Sequence, residues 1–164
     1  ATADNITGAP IYARPGCYLH VDAATALSRA IDLAREINLR FLIFDAFRPA
    51  EAQWVLWQHK PDPKFVTAPW RGSPHSRGVA IDLTLLDHDG NALDMGTNFD
   101  DFSPRAYHGS PHVSAEAQRN RHILMGIMTT AGWDFYRNEW WHYQLFNARQ
   151  YTALDDNDAG VHMM

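Results

Sequence analysis

Two short segments of the chain carry side chains that can bind a metal ion and move a proton. They lie at positions 73–82 and 139–142, and between them they hold two imidazoles and two carboxylates: His75, Asp82, Glu139 and His142. Two histidines and one carboxylate, with a fourth position left to water, form a common catalytic zinc set. The remaining carboxylate would then be free to act as a general base. The residue types therefore predict one metal site with acid–base chemistry beside it.

Asp82 is the most informative of these residues, because it places a charge inside the otherwise apolar run 78–86. An unpaired carboxylate is expensive in such a strand. A bound cation would offset that cost, and His75, in the preceding loop, could fold back to share it. An ion pair with Arg48 or Arg77 would offset the cost as well. The residues alone leave the metal site and the ion pair open.

Glu139 and His142 pose a geometric problem. Their i,i+3 spacing puts them on one face of a helix but on opposite faces of a regular strand. The local sequence, rich in aromatic residues, is more typical of a strand. We therefore expect a bend or bulge near Trp140 if both side chains serve one site.

Arg48 is a further candidate, since it follows a short apolar run and precedes Pro49 at the mouth of the predicted sheet. One interpretation is an ion pair with Asp45 or Glu51. The other is a fixed cation that stabilises a developing oxyanion, a role in which one donor contributes ~3–4 kcal/mol. Both interpretations remain open at this point.

These residues must be positioned by helices and strands, which the apolar pattern predicts. Asp22 and Ser114 are candidate N-caps, and Pro49 suits the first turn of a helix. A turn at 87–90 indicates a hairpin, and 94–113 reads as a long functional loop. The predicted elements are helices at 22–38, 49–59 and 114–131, strands at 41–47 and 78–86, and a last aromatic strand within 135–146. They predict an α+β fold with helices packed on a central, mainly antiparallel sheet.

Composition limits the class of protein. The 164 residues are 46% hydrophobic and 20% charged, which predicts a single folded domain spanning residues 1–164. The net charge is −5 and no basic run occurs, so we expect neither a nucleic-acid partner nor membrane insertion. No nucleophile elbow, dinucleotide-binding motif or P-loop is present. We expect Cys17 to be a buried apolar residue and Asp155, Asp156 and Asp158 to form a solvated tail.

Five segments together resemble the zinc D-alanyl-D-alanine dipeptidases, a family that includes enzymes of vancomycin-resistance clusters. In chain order they are ATADNITG at 1–8, FDAFRP at 44–49, SPHSRGVAIDLTL at 73–85, MGTNFD at 95–100 and EWWHY at 139–143. The similarity thus covers nearly the whole chain. The SxHxxGxAxD and ExxH patterns are shared with wider carboxypeptidase relatives. The EWWH and MGxxFD pieces narrow the resemblance to the dipeptidases.

The resemblance implies hydrolysis of D-alanyl-D-alanine to two D-alanines. It implies one Zn²⁺ per chain held by His75, Asp82 and His142. Glu139 would be the catalytic base, and Arg48 would stabilise the tetrahedral intermediate. The implied fold is α+β with a central antiparallel sheet, in agreement with the apolar pattern.

The resemblance also implies a pocket for a small D,D-dipeptide, with Ser73 and Asp100 in its lining and Asp100 facing the substrate ammonium. In the family a tyrosine commonly precedes the segment matching Ala1, so we expect either a preceding segment or a less complete pocket.

Two alternative functions remain open: a D,D-carboxypeptidase acting on peptidoglycan stems and a non-catalytic zinc-stabilised binding domain. Antibiotic resistance, scavenging and cell-wall turnover, in cytoplasm or periplasm, all remain open.

Overall fold

The computed structural model describes residues 2–3 and 5–164. Ala1 and Asp4, which belong to the matched segment 1–8, lie outside the described residues. The helices and strands, in chain order, are α1 (Val21–Glu36), β1 (Arg40–Asp45), α2 (Ala50–His59), β2 (Ala80–Leu86), α3 (Ala115–Thr130), β3 (Trp133–Phe135) and β4 (His142–Leu145).

The four strands form one antiparallel sheet in the order β1-β2-β4-β3. Helices α1 and α3 contact each other and the sheet. The core that joins them includes alternate residues of β2, namely Ile81, Leu83 and Leu85, which are fully buried. Because side chains alternate along a strand, Asp82 lies on the opposite face. The expected α+β fold is confirmed, and the sheet presents its second face to the candidate site.

The helix ends follow local capping chemistry. Ser114 caps α3 as expected, and its Oγ accepts a hydrogen bond from the Ala117 amide at 3.0 Å. The expectation that Asp22 caps α1 is wrong, because His20 is the cap and its Nδ1 accepts from the Asp22 amide at 3.2 Å. Asp22 instead lies in the first turn, where a negative charge favours the helix dipole. No helix among the described residues is long and apolar enough to cross a membrane.

The segment 135–146 contains a strand, β4, as expected, but a second short strand, β3, was not predicted. The chain forms two short antiparallel strands, β3 and β4, and the connection at 136–141 reverses its direction. The Tyr136 amide donates to the His142 carbonyl at 3.2 Å, which closes this connection. Glu139 therefore lies in a loop rather than in a strand, and the alternation of strand faces does not apply to it.

Two expectations for the chain ends also need correction. Cys17 is exposed rather than buried. Asp156 is buried, and its two carboxylate oxygens accept hydrogen bonds from the amides of Met163 and Met164 at 2.8 and 3.1 Å. The acidic tail is therefore folded back onto the molecule at this residue instead of being fully solvated.

Candidate metal centre and substrate pocket

Three adjacent strands place polar side chains in one row across the sheet. Asp45 of β1 is paired with Asp82 of β2, and Asp82 is paired with His142 of β4. A bulge at Phe44 shifts the register of β1 between Ile43 and Asp45. Such a bulge re-aims the residue that follows it. It thereby brings Asp45 beside Asp82 on the face away from the helical core.

His75 joins this row from the turn that precedes β2. Gly78 ends the turn with a φ of +65°, and a Cβ there would lie 3.0 Å from the His20 amide nitrogen. Glycine accepts this conformation without strain and allows the close approach. The chain can therefore turn sharply between His75 and β2, so that the imidazole folds back over Asp82.

The two imidazoles and the Asp82 carboxylate converge. His75 Nε2 lies 3.4 Å from Asp82 Oδ2, and His142 Nδ1 lies 3.0 Å from Asp82 Oδ1. The two imidazole nitrogens are 3.2 Å apart. All three residues are buried, and their donor atoms lie within 4.8 Å of one another. This is a compact set of nitrogen and oxygen donors of the kind that zinc prefers.

The outer nitrogen of each imidazole is held by an acceptor. His75 Nδ1 lies 2.7 Å from the Ala46 carbonyl oxygen, and His142 Nε2 lies 3.3 Å from Gln144 Oε1. With the proton on these outer nitrogens, the lone pairs of His75 Nε2 and His142 Nδ1 would be available to a cation beside Asp82. Partners of this kind orient metal-binding histidines in proteins. The residues present therefore fit a bound zinc ion.

Asp82 is ionised despite its burial. Desolvation opposes the charged form, but the neighbouring His75 and His142 outweigh it and hold the pKa of Asp82 well below its usual range. Arg48 Nη2 lies 3.6 Å from Asp82 Oδ2, whereas Arg77 donates to the carbonyls of Gly72 and residues 71 and 151. Of the two arginines considered from the sequence, only Arg48 is close to Asp82.

Glu139 is buried and lines the same pocket. Desolvation is the main cause that raises its pKa to about 8, and the nearby charges of Asp82 and Asp100 add to the increase. The opposing charges of His142 and Arg48 are weaker than these together. A buried carboxyl with a raised pKa beside a set of metal donors is typical of a group that exchanges protons.

Arg48 forms one of the two ion pairs considered from the sequence, the pair with Asp45. Its Nε donates to Asp45 Oδ2 at 2.8 Å, and its Nη1 donates to Gln53 Oε1 at 3.1 Å. Glu51 is not its partner, because that carboxylate accepts from the Asp156 amide. The ion pair with Asp45 fixes the guanidinium, and its Nη2 end remains directed toward the metal donors.

A cavity of about 240 Å³ adjoins the row. All seven residues singled out from the sequence line it: Arg48, Ser73, His75, Asp82, Asp100, Glu139 and His142. Among the described residues, four carboxylates and two cationic side chains line it: Asp45, Asp82, Asp100 and Glu139, and Arg48 and Lys64. This excess of negative charge favours a metal cation together with a cationic group of a ligand.

Ser73 and Asp100 occupy different parts of the lining. Ser73 is buried, and its Oγ accepts from the His75 amide at 3.2 Å, which helps to shape the turn. Asp100 has a positive φ of 61° in the loop 94–113. Burial, and then the charges of Asp82 and Asp45, raise the pKa of Asp100 to about 7. A cation opposite Asp100 would lower that pKa again and keep the carboxylate charged.

Several residues of the site were not identified from the sequence. The Tyr12 hydroxyl donates to Asp45 Oδ1 at 3.0 Å, and Phe44 stacks on Phe99 with centroids 4.5 Å apart. Gln53 and Gln144 orient Arg48 and His142, as described above. Phe44 and Phe99 lie within the segments FDAFRP and MGTNFD, whereas Tyr12, Gln53 and Gln144 lie outside every segment quoted from the sequence. Only the alternation of β4, which puts Gln144 on the same face as His142, could have indicated one of them.

The α+β fold and a pocket with a buried His-Asp-His donor set and a free carboxylate define a metallopeptidase. The family profile described as D-ala-D-ala dipeptidase matches residues 1–159. The chain belongs to this family.

Individual relatives agree with the family match. The chain is 49% identical over 156 residues to a D-alanyl-D-alanine dipeptidase of Escherichia coli (strain K12), which covers 95% of this chain and 81% of that protein. It is 32% identical over 166 residues to a D-alanyl-D-alanine dipeptidase of Enterococcus faecium, covering 88% and 82%. A solved structure, VanYB in complex with D-Alanine-D-Alanine, is similar with a TM-score of 0.52 and 15% identity, over 87% of this chain and 84% of that one. The structural likeness supports the fold.

Proposed function

We propose that this protein hydrolyses D-alanyl-D-alanine to two D-alanines with one zinc ion, and that residues 1–164 form a single catalytic domain. The observation that carries the proposal is the pocket in which a buried His-Asp-His donor set adjoins the buried Glu139 carboxyl. The names of the relatives supply the substrate. Since D-alanyl-D-alanine is a peptidoglycan building block, the activity belongs to cell-wall metabolism.

His75 Nε2, His142 Nδ1 and the Asp82 carboxylate would hold the zinc ion. When bound, zinc supplies a Lewis acid that polarises the scissile carbonyl and lowers the pKa of water towards ~7. The outer contacts of the two imidazoles keep their lone pairs directed inward, so that little rearrangement is needed when the ion binds.

Glu139 serves as the general base. Its carboxylate takes a proton from the attacking water and passes it to the amine of the departing D-alanine. Burial excludes bulk water from this carboxyl, and that keeps the transferred proton available to the leaving group. The loop position of Glu139, outside β4, leaves it free of a ladder partner on the described strands.

Arg48 stabilises the oxyanion that develops on the scissile carbonyl. Asp45 and Gln53 already hold its Nε and Nη1, so that the guanidinium needs no reorganisation during the reaction. The end that carries Nη2 stays close to the metal donors, at 3.6 Å from Asp82. A fixed donor of this kind acts mainly on the transition state.

For the Arg48→Ala protein we expect kcat to fall by ~10²-fold or more while the zinc content is unchanged, because one oxyanion donor is lost. Steady-state kinetics and metal analysis on the same preparation measure both quantities. Arg29→Ala is the matched control, because Arg29 is exposed on α1. An unchanged kcat would show that Arg48 forms the ion pair with Asp45 but does not stabilise the oxyanion.

Asp100 binds the ammonium of the substrate, and Ser73 completes the lining near the metal donors. An acylated amine offers Asp100 no positive charge, so the carboxyl would have to stay charged and unpaired in a partly buried position or take up a proton. We therefore expect kcat/KM for N-acetyl-D-Ala-D-Ala to be lower than for D-Ala-D-Ala by ~10²-fold or more. In the Asp100→Asn protein this ratio should shrink. Equal kcat/KM values for the two substrates in the unsubstituted protein would show that Asp100 does not bind the substrate ammonium.

The test of the proposed function is D-alanine release from D-Ala-D-Ala together with metal analysis of the same sample. We expect about one zinc ion per chain, loss of turnover on chelation and recovery when zinc is returned. Zinc without turnover of the dipeptide would contradict the proposal. If such a protein instead trims stem pentapeptides, it is a D,D-carboxypeptidase, and if it cleaves neither substrate, it is a binding domain.

A further inference from the structure

A fully buried arginine contacts the loop 94–113 but has no part in the proposed chemistry. Arg121 of α3 is 0% exposed. Its Nε donates to the Met95 carbonyl at 2.7 Å, and its Nη1 donates to the carbonyls of Arg105 and Tyr107, each at 3.0 Å. In the described part of the chain no carboxylate lies within ion-pair distance of it.

These three carbonyls stand at the two ends of the segment that carries Asp100. Met95 precedes Asp100, and Arg105 and Tyr107 follow it. Arg121 thus joins both ends of the segment 95–107 to one point on α3. The neighbouring Asn120 supports the end at Met95, because its Nδ2 donates to the Asp94 carbonyl at 2.8 Å.

The segment 95–107 is also hydrogen-bonded to the connection 136–141, which carries Glu139. The Ala106 carbonyl, between two of the carbonyls that Arg121 holds, accepts from the Trp140 amide at 3.1 Å. The Trp140 side chain donates from Nε1 to Thr97 Oγ1 at 2.8 Å, within the same segment. Glu139 is the residue directly before Trp140, so the position of its backbone depends on the segment that Arg121 fixes.

An arginine is suited to this position in a way that an apolar residue is not. Burial of a guanidinium is costly, and here it lowers the pKa of Arg121. An apolar side chain at the same position of α3 would avoid that cost. Only the planar fork of arginine offers donors in fixed directions that reach three carbonyls together. The geometry therefore indicates that Arg121 fixes the position of the segment 95–107.

We propose that Arg121 is a positioning residue for dipeptide hydrolysis, which holds Asp100 and Glu139 in register by clamping the segment 95–107 to α3. This inference rests on the proposed function. It assigns Arg121 no contact with the substrate. Its effect passes through the three carbonyls of the segment and through the Trp140 amide.

The test compares Arg121→Met with Arg121→Lys. We expect Arg121→Met to lower kcat/KM for D-Ala-D-Ala by ~10²-fold or more, since a misplacement of about 1 Å at a reacting group has that effect. The preference for D-Ala-D-Ala over the N-acetyl dipeptide should fall at least about tenfold. Zinc content should stay at the level of the unsubstituted protein, because the donors lie on β2, β4 and the turn before β2. Arg121→Lys should recover part of the loss.

Two control variants separate positioning from stability. Arg119→Met makes the same change at an exposed position of α3 and should leave kinetics unchanged. Leu124→Ala removes a fully buried side chain of α3, so it should lower Tm and leave the substrate preference intact. If Arg121→Met lowers Tm but keeps the substrate preference, as Leu124→Ala does, the proposal is overturned.

A failure of the proposed role of Arg121 can be distinguished from a failure of the proposed function. If the unsubstituted protein releases no D-alanine, the function is wrong, and amide hydrogen exchange then decides on the clamp. Exchange that accelerates over 95–107 in Arg121→Met but not in Leu124→Ala supports the clamp. Equal acceleration in both variants overturns it.

Discussion

The Glu139→Gln protein is expected to keep its zinc and to lose D-Ala-D-Ala turnover by ~10³-fold or more. The amide has nearly the shape of the carboxylate but cannot accept a proton from water. Glu139 is not among the convergent metal donors, so the affinity for zinc should change little. Loss of the buried carboxyl removes a group that resists ionisation, and the fold should therefore not be destabilised. Single-turnover kinetics and zinc analysis on one preparation measure the two effects.

The matched control is Glu36→Gln, which makes the same change at the exposed end of α1. It should keep full activity. If Glu139→Gln keeps full activity as well, the base is another group. If Glu139→Gln loses its zinc, the carboxylate is a metal ligand and the assignment of the donor set changes.

The Asp82→Asn protein is expected to lose zinc and with it all measurable turnover. Substitution of residues that only orient metal ligands weakens affinity by ~10–100-fold, and removal of a direct ligand should exceed that. The Asp82 carboxylate also lies 3.0 Å from His142 Nδ1 and 3.4 Å from His75 Nε2, between the other two donors. The amide loses both its charge and one of its two acceptor atoms. Equilibrium zinc binding against a chelator of known affinity measures the change.

Asp89→Asn is the control for this substitution, because Asp89 is exposed in the turn directly after β2. Its zinc affinity and turnover should equal those of the unsubstituted protein. Added zinc in excess should restore part of the turnover of Asp82→Asn, since the two imidazoles remain. Full turnover without added zinc would exclude Asp82 from the donor set and leave it as a partner of Arg48.

The candidate site was predictable to a large extent because its residues are unusual where they stand. A carboxylate at Asp82 within an apolar strand required a counter-charge, and His75 was near enough in sequence to supply one. The structure brings both together with His142, as expected. Asp45 could not be assigned to the same row, since the bulge at Phe44 that turns it toward Asp82 leaves no mark in the apolar pattern.

The hairpin of β3 and β4 was missed for a different reason. Strands of three and four residues are too short to display alternation, and the aromatic residues between them are as typical of a strand as of a buried loop. The reversal depends on pairings such as Phe135 with Tyr143, which are set by the tertiary fold. Arg121 was missed similarly, because its carbonyl partners lie 14 to 26 residues away.

The row formed by Asp45, Asp82 and His142 has a consequence for folding. A slip of one residue in the pairing of any strand turns its side chains to the other face of the sheet. A chain with β2 or β4 misaligned would bury the charge of Asp82 or the imidazole of His142 in the helical core and leave the donor set incomplete. The zinc ion of the proposed function would bind only to the assembled set, so its binding energy would not stabilise a misaligned chain. Such a metal centre would therefore favour the correct strand alignment before any substrate binds.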